Sequence, residues 1–552
     1  MDARRGTLPR TARSRRMFLH EAGATLAAAL LATRRQARAQ GRESYPPTDV
    51  RYYGVVPNQS AAASANTVAL KKLVDPAGTF TGQLVFPNAT GSDVYYFNDL
   101  IAFHDGINLN LDASTLNFAK TGVKGDSASG FIHAIRNFTI ENGTIVTSYT
   151  STSGYNTGNV LAFGGRGKDT ALFPNIYDRM LPAPMGNIVV RNLRIKGGAT
   201  GGNARGIFML GGFDGVTIDN VSIDGQMQLT EGIYYEFGWA TNEPQEHERQ
   251  SSHATNVRIN GLTVENVNNE ALGANGAYDI VVENLRTSNT GYVCAIGSGE
   301  ALYFRPWVPK QRSGTRPSFT ARNVVGESVR GLGISVTGAS KIAGSYLDNP
   351  PKHDNPHGLG ADQQTDLIDL VLDHFTLTGT AKNYGILTSA RSAQIRNGTV
   401  TGFARGLVTT QECTQFLIDS VKVFDSASFG IQIGQGATIH QPVRPSSGVI
   451  RNCVIAGSGT GGKCAGLAVA VTRSCLVEGC RFGYDLGADG KTESTQTHAV
   501  WVGPDAADVI CRNDNVASTA EGGAAYVLTG GGGRGCRIEN ARGIQSRSGG
   551  WS

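Results

Sequence analysis

No stretch of this 552-residue chain is apolar for long enough to cross a bilayer. Its longest weakly apolar run, Ala22 to Ala32, is about half of the roughly 20 residues that a spanning helix needs. Cysteine is absent from the first half. All eight lie between Cys294 and Cys536, with no metal-ligand spacing beyond isolated pairs. No cluster of aspartates resembles a calcium loop, so no metal or other cofactor is expected, calcium alone being left open. Also missing is any linker of proline, serine or charge, although a chain of this length ordinarily divides into several domains. With 72 glycines spread through it, so uniform a sequence points to one elongated, repetitive domain.

The N-terminus reads as an export address covering residues 1–39. Ser14-Arg15-Arg16-Met17-Phe18-Leu19 is a twin-arginine block, and Ala37-Arg38-Ala39 offers a small-residue cleavage site before Gln40. The expected partner is the twin-arginine export machinery, and the expected destination is the periplasm or beyond. The address holds nine Arg against Asp2 and Glu21, a net of +7, whereas the whole chain is +5. The remainder is therefore about −2, and its charge gives no reason to expect nucleic acid or membrane partners. Residues 40–545 form the expected domain, with 546–552 as a tail.

A phrase recurs from Phe138 onward: alternating apolar residues, a charged or polar residue, then Asn or Gly. It reads Phe138-Thr-Ile-Glu-Asn142, Ile188-Val-Val-Arg-Asn192, Val216-Thr-Ile-Asp-Asn220, Val257-Arg-Ile-Asn-Gly261, Ile280-Val-Val-Glu-Asn284 and Phe319-Thr-Ala-Arg-Asn323. Later copies end at His374, Asn397, Ser420, Asn452, Gly479, Asn513 and Asn540. The shortest intervals, such as 374 to 397 and 397 to 420, are each 23 residues. An apolar period of two excludes helical repeats, and short strands at so regular a spacing indicate stacked coils. A second phrase follows about ten residues later, as in Gly206-Ile-Phe-Met-Leu210, Gly232-Ile-Tyr-Tyr-Glu236 and Gly385-Ile-Leu-Thr-Ser389. Each coil thus carries at least two strands, joined at bends where Asn and Gly tolerate unusual backbone angles. The expected fold is all-β, a single-domain right-handed parallel β-helix of about 12–13 coils with a short N-terminal capping helix.

The residue just before each bend forms a ladder: Glu141, Arg191, Asp219, Asn260, Glu283, Arg322, Asp373, Arg396, Asp419, Arg451, Glu478, Arg512 and Glu539. The signs mostly alternate, so neighbours one coil apart should pair and help to set register. Each exposed pair is worth about 0–1 kcal/mol, which makes these carboxylates structural. Cys453 and Cys480 fall at one register on adjacent coils, close enough for a bridge. Two buried free thiols are the favoured reading, because a chain exported folded closes its core under reducing conditions.

The N-terminal part resembles the pectate-lyase-like superfamily of β-helix carbohydrate-active proteins. Its opening phrase appears as Tyr53-Gly54-Val55, its capping helix as Thr67 to Val74, and its first apolar strand as Leu84-Val-Phe-Pro87, followed by Ile107-Asn-Leu-Asn-Leu111. Asn58-Gln59-Ser60 replaces the usual Asp-Gly-rich loop. The resemblance implies a polysaccharide-acting protein. The polygalacturonase set is absent apart from Arg194-Ile195-Lys196, and His353-Asp354-Asn355-Pro356-His357 is loosely similar to a phrase of alginate epimerases.

Repeat intervals lengthen between residues 142 and 192, 220 and 261, 284 and 323, and 323 and 374. Long excursions from a solenoid stay outside the core and commonly wall a groove, so a substrate should lie over the N-terminal and middle coils. Within Glu231-Gly-Ile-Tyr-Tyr-Glu-Phe-Gly-Trp239, Ile233 and Tyr235 should point inward, and Tyr234 and Glu236 outward. The expected neighbours of Tyr234 are Phe208 and Leu272, and small residues such as Ala274 and Gly297 are expected level with Glu236. Glu236 is the first catalytic candidate, because apolar surroundings raise a carboxyl towards general-acid use. Glu231 and Glu300 are its candidate partners. Tyr234, Trp239, His253, Arg305, Trp307 and Lys310 are candidate substrate contacts through stacking and carboxylate pairing. Two carboxylates suit hydrolysis, slightly favoured; a base with Tyr234, Arg305 and Lys310 suits β-elimination on a uronic-acid polymer. An adhesin-like, polysaccharide-binding β-helix is the reading outside enzymes.

Overall fold

The computed structural model describes residues 45–548. It leaves out 75–79, 119–130, 133–135, 148–158, 164–184, 198–203, 211–212, 237–253, 276–278, 298–300, 303–304, 307–317, 338–367, 411–412, 436–445, 461–463, 490–493, 530–533, 544–546 and the single positions 100, 102, 104, 381, 487 and 522. The export address lies outside the described residues.

Each recurring phrase forms a strand, and each strand pairs in parallel with the same phrase one coil away. With shorter strands beside them they build a 22-stranded sheet, while the glycine-led phrases and their counterparts on other coils build a second sheet of 14 strands. The chain is a parallel β-helix, in the right-handed sense that parallel crossover connections take. Thirteen coils open with a phrase, and a further coil opens at Ile107–Asn110, which pairs with Arg136–Thr147. A helix at Ala63–Val74 packs against Val94–Phe97 at the N-terminal end. It begins four residues earlier than the sequence suggests. Asn66 ties it down by accepting from the Val56 N–H and donating to the Val56 and Tyr96 carbonyls.

The charged ladder is present in the expected register: Glu141 is opposite Arg191, Arg322 opposite Asp373 and Arg451 opposite Glu478. Arg322 lies 3.0 Å from Glu283, Arg451 2.7 Å from Asp419, and Arg512 2.7 Å from Glu478. Where Asn260 separates two acids, its amide donates to Asp219 at 2.8 Å. The next residue turns the chain with a positive φ, +49° at Asn192 and +51° at Asn220, and the Asn amides bond from coil to coil. Asn visits this left-handed region at low cost; His374 (φ +54°) and Ser420 (φ +57°) occupy it with less suitable side chains. Ser420→Asn should therefore stabilise the protein by about 0.5–1 kcal/mol, read as a rise in the unfolding midpoint.

All eight cysteines are free. Cys453 and Cys480 are buried and level with each other, each thiol donating to main-chain carbonyls, in keeping with the stacked-thiol reading. The long insertions share an exit. Residues 164–184, 237–253 and 338–367 each follow a strand of the second sheet, namely Leu161–Phe163, Glu231–Glu236 and Ile334–Thr337. Because those strands are parallel, their ends lie along one edge of the sheet. That directs attention to the outer face of the second sheet.

Candidate functional site

Strands of the second sheet open on a corner where glycine is required for space. A Cβ on Gly232 would lie 2.6 Å from the Ala271 carbonyl oxygen, and one on Gly206 would lie 2.6 Å from that of Gly232. Strict alternation breaks at this corner. The residue before the glycine faces outward, and so does the residue two places after it. Arg205 and Phe208 therefore share the outer face with Glu231 and Tyr234 of the next coil, in the register Arg205 opposite Glu231 and Phe208 opposite Tyr234.

These four side chains form one unit. The Arg205 guanidinium carbon lies 4.6 Å from the ring centroids of both Phe208 and Tyr234. The two rings stack at 6.3 Å with 22° between their planes. Gly273 on the following coil leaves room for the Tyr234 ring, since a Cβ there would lie 2.5 Å from Tyr234 Cδ2. Arg205 Nε is 3.1 Å from Glu231 Oε2, and both side chains are only 7% exposed. Burial raises the proton affinity of Glu231 above the ordinary glutamate value, opposed by the charge of Arg205 and by a hydrogen bond with Asn269. A carboxyl held this way keeps its proton to a higher pH than a surface glutamate, as a general acid must.

The next coil supplies a second carboxylate. Ile233 pairs with Leu272, which sets Glu270 level with Glu231 one strand away, about 4.8 Å between backbones. Glu270 is partly exposed and stands opposite Tyr292. Burial and the Glu270 charge raise the proton affinity of the Tyr292 phenol. Farther along the same face, Leu332, Leu387 and Val408 form a small apolar cluster apart from the main core, with Tyr292 and Tyr384 packed against it.

Tyr234 lies beside Phe208 as expected, and Ile233 and Tyr235 are buried inside. Two expected neighbours are different. Leu272 pairs with Ile233 and Ala274 with Tyr235, so both face the core; Gly273 stands beside Tyr234, and Asn275 is level with Glu236. The 17 residues of the 237–253 insertion separate these strands, and a one-residue slip exchanges every inward for an outward position. Glu236 ends the Glu231–Glu236 strand opposite Leu210, and its side chain lies outside the described atoms. Five residues of extended strand place its backbone up to about 16 Å from that of Glu231. Arg305 belongs to a short antiparallel pairing of Arg305–Pro306 with Ala301–Leu302, known by backbone alone. Glu300, Trp239, His253, Trp307 and Lys310 lie outside the described residues, as does the segment around His353 and His357.

Arg205, Glu270 and Tyr292 were not among the sequence candidates. Their shared signal is position: like Glu231 before Gly232, Arg205, Glu270 and Tyr292 each immediately precede the corner residue, respectively Gly206, Ala271 and Val293. Among the described residues, no group of three or more His, Cys, Asp or Glu side chains is placed to hold a metal ion.

No family model and no curated protein matches the sequence. Among solved structures, the chain is similar to the mannuronan C-5 epimerase AlgE6 A-module of Azotobacter vinelandii, at 11% identity and a TM-score of 0.43 over 91% of this chain and 99% of that one. It is similar to the catalytic unit of an alpha-1,3-glucanase from Streptomyces thermodiastaticus, at 11% identity and a TM-score of 0.40 over 92% and 71% of the two chains. A likeness to PfbA, a surface adhesin of Streptococcus pneumoniae, has 10% identity and a TM-score of 0.28 over 90% and 91%. These are likenesses of repeating architecture, and they give no ground for choosing an activity.

Proposed function

We propose that the protein is an exported carbohydrate-active enzyme, a glycoside hydrolase, acting on a poly- or oligosaccharide laid along the outer face of the second sheet. The observation that carries this reading is the level pair Glu231 and Glu270 beside a guanidinium braced by two aromatic rings. Hydrolysis needs two carboxyl groups about 5–5.5 Å apart for retention or about 6.5–9.5 Å for inversion, a range that side chains on adjacent strands reach readily. Glu231, whose proton affinity burial raises, donates to the leaving oxygen; Glu270, the more exposed, acts as nucleophile or base. Tyr234, partly exposed, offers its ring face to the sugar, and the buried Phe208 ring backs it. Glu236 is the alternative partner on the same strand. Elimination is less well served, because Tyr292 is held away from the phenolate that a lyase base requires. The twin-arginine block supports export of the folded chain.

The test is a panel of pectins, alginate and neutral glucans, read for reducing ends and for the ultraviolet absorbance of unsaturated products. We expect reducing ends without new absorbance, and at least a hundredfold loss in Glu231→Gln and in Glu270→Gln. Loss confined to Glu236→Gln would make the Glu231–Glu270 pair structural. New absorbance would replace hydrolysis by elimination, and silence on every polymer would leave a binding protein. A pH profile adds a signed expectation: kcat/KM falls on the alkaline side above the ordinary glutamate range. Arg205→Gln, by removing the charge that opposes burial, moves that limb to still higher pH, and an unmoved limb would dissociate it from Glu231.

A further inference from the structure

The same face carries a second braced cation whose charge is not matched. Tyr384 pairs with Arg405, and Leu407 pairs with Ile431, which sets Phe429 level with Arg405 on the coil beyond. The Arg405 guanidinium carbon lies 5.4 Å from the Tyr384 ring centroid and 6.0 Å from that of Phe429. Unlike Arg205, it has no carboxylate partner among the described residues; its side-chain bond is to the neutral Gln432 Oε1 at 3.0 Å. Beside it, Gln435 Nε2 lies 3.4 Å from the Tyr384 hydroxyl, while Gln435 Oε1 is buried without a hydrogen-bond partner among the described residues. An uncompensated guanidinium held between rings, next to an unused acceptor, matches a ligand group that is an anion carrying hydroxyl donors.

We propose that Tyr384, Arg405, Phe429 and Gln435 form a distal subsite for a carboxylate-bearing sugar of a polymeric substrate. Arg405 binds the carboxylate, the tyrosine and phenylalanine rings hold the guanidinium in place, and Gln435 Oε1 accepts from a sugar hydroxyl. The strands of Glu231 and Glu270 lie five and four steps from that of Arg405, or about 19–24 Å at about 4.8 Å per step. The subsite therefore reads only chains long enough to bridge that distance, the behaviour of an enzyme acting within a polymer. The inference rests on the outer face being the substrate groove and deepens that reading by naming the substrate as acidic.

Calorimetric titration with oligogalacturonates tests it, using a trimer and a decamer, each free and methyl-esterified. Wild-type protein should bind the free decamer at least tenfold more tightly than its methyl ester. Arg405→Gln should abolish that preference while leaving trimer binding unchanged, and Arg405→Lys should restore it in part. The ester comparison needs no variant, so it stands even where a substitution unfolds the coil. Equal binding of free and esterified decamer, or equal loss for trimer and decamer in Arg405→Gln, would overturn the subsite. Cleavage of a neutral polymer that needs Glu231, with no preference for the free acid, would overturn the subsite and leave the hydrolase standing. Arg405-dependent decamer binding without cleavage of any polymer would support the subsite and overturn the hydrolase.

Discussion

Asp514→Asn should flatten the loss of stability that the wild-type protein suffers as pH rises from about 4 to about 8. Asp514 is fully buried. Its Oδ1 accepts from the Cys480 N–H at 2.8 Å, and its Oδ2 has no hydrogen-bond partner among the described residues. Burial pushes the carboxyl up to about 8, against the Cys480 N–H and with a smaller push from Glu478. Between the unfolded value near 3.9 and this folded value, the folded state binds more protons than the unfolded one, so stability falls as pH rises. It is fully present below about 4 and levels off above about 8, for a total on the order of 5 kcal/mol. Asparagine keeps the Oδ1 acceptor and has nothing to ionise. Calorimetry at pH 5 and pH 8 should show the wild-type midpoint dropping by several degrees more than that of the variant. Parallel drops would mean that the carboxyl ionises in the folded protein at no cost.

Gly385→Ala should destabilise the protein by about 3 kcal/mol or more, at the upper end of overpacking costs, because part of the obstacle is main chain. A Cβ there would lie 2.6 Å from the Gly406 carbonyl oxygen and 2.3 Å from Val400 Cγ1. Gly406 is itself hemmed in, at 2.5 Å from the Gly430 carbonyl oxygen, so a shift in one coil is passed to the next rather than absorbed. Gly261→Asn is the contrast. It has a φ of +64°, its nearest contacts are at 3.5 Å, and it occupies a bend position that asparagine fills on other coils. Its midpoint should stay the same or rise. A Gly385→Ala midpoint within a degree of wild type would show that the coils are free to slide apart.

The coils were legible because their signals are local. Each bend residue is announced by the alternation within five residues, and the ladder from Glu141 to Glu539 follows without any long-range knowledge. The site was legible only in part, because its contacts depend on counting across coils of unequal length. Glu231 and Tyr234 drew attention by their company within one strand. Glu270 lies 39 residues beyond Glu231, across the 237–253 insertion, and joins it only once register is known. The same uncertainty put Leu272 and Ala274 on the wrong side of the sheet. Arg405 is 21 residues from Tyr384 and 24 from Phe429, near the common coil length, yet nothing in its own strand marks it as unmatched.

The alternating ladder also bears on how such a chain could have grown. Excising the single coil that carries Arg396 would bring Asp373 directly against Asp419, and duplicating it would stack arginine on arginine. Excising or copying two consecutive coils preserves every contact between opposite signs. Where two acids do come within reach, around Asp219 and Glu283, the neutral Asn260 stands between them. An ancestral gene built of such coils would thus tolerate gain or loss in twos, and its descendants should differ in length by even numbers of turns.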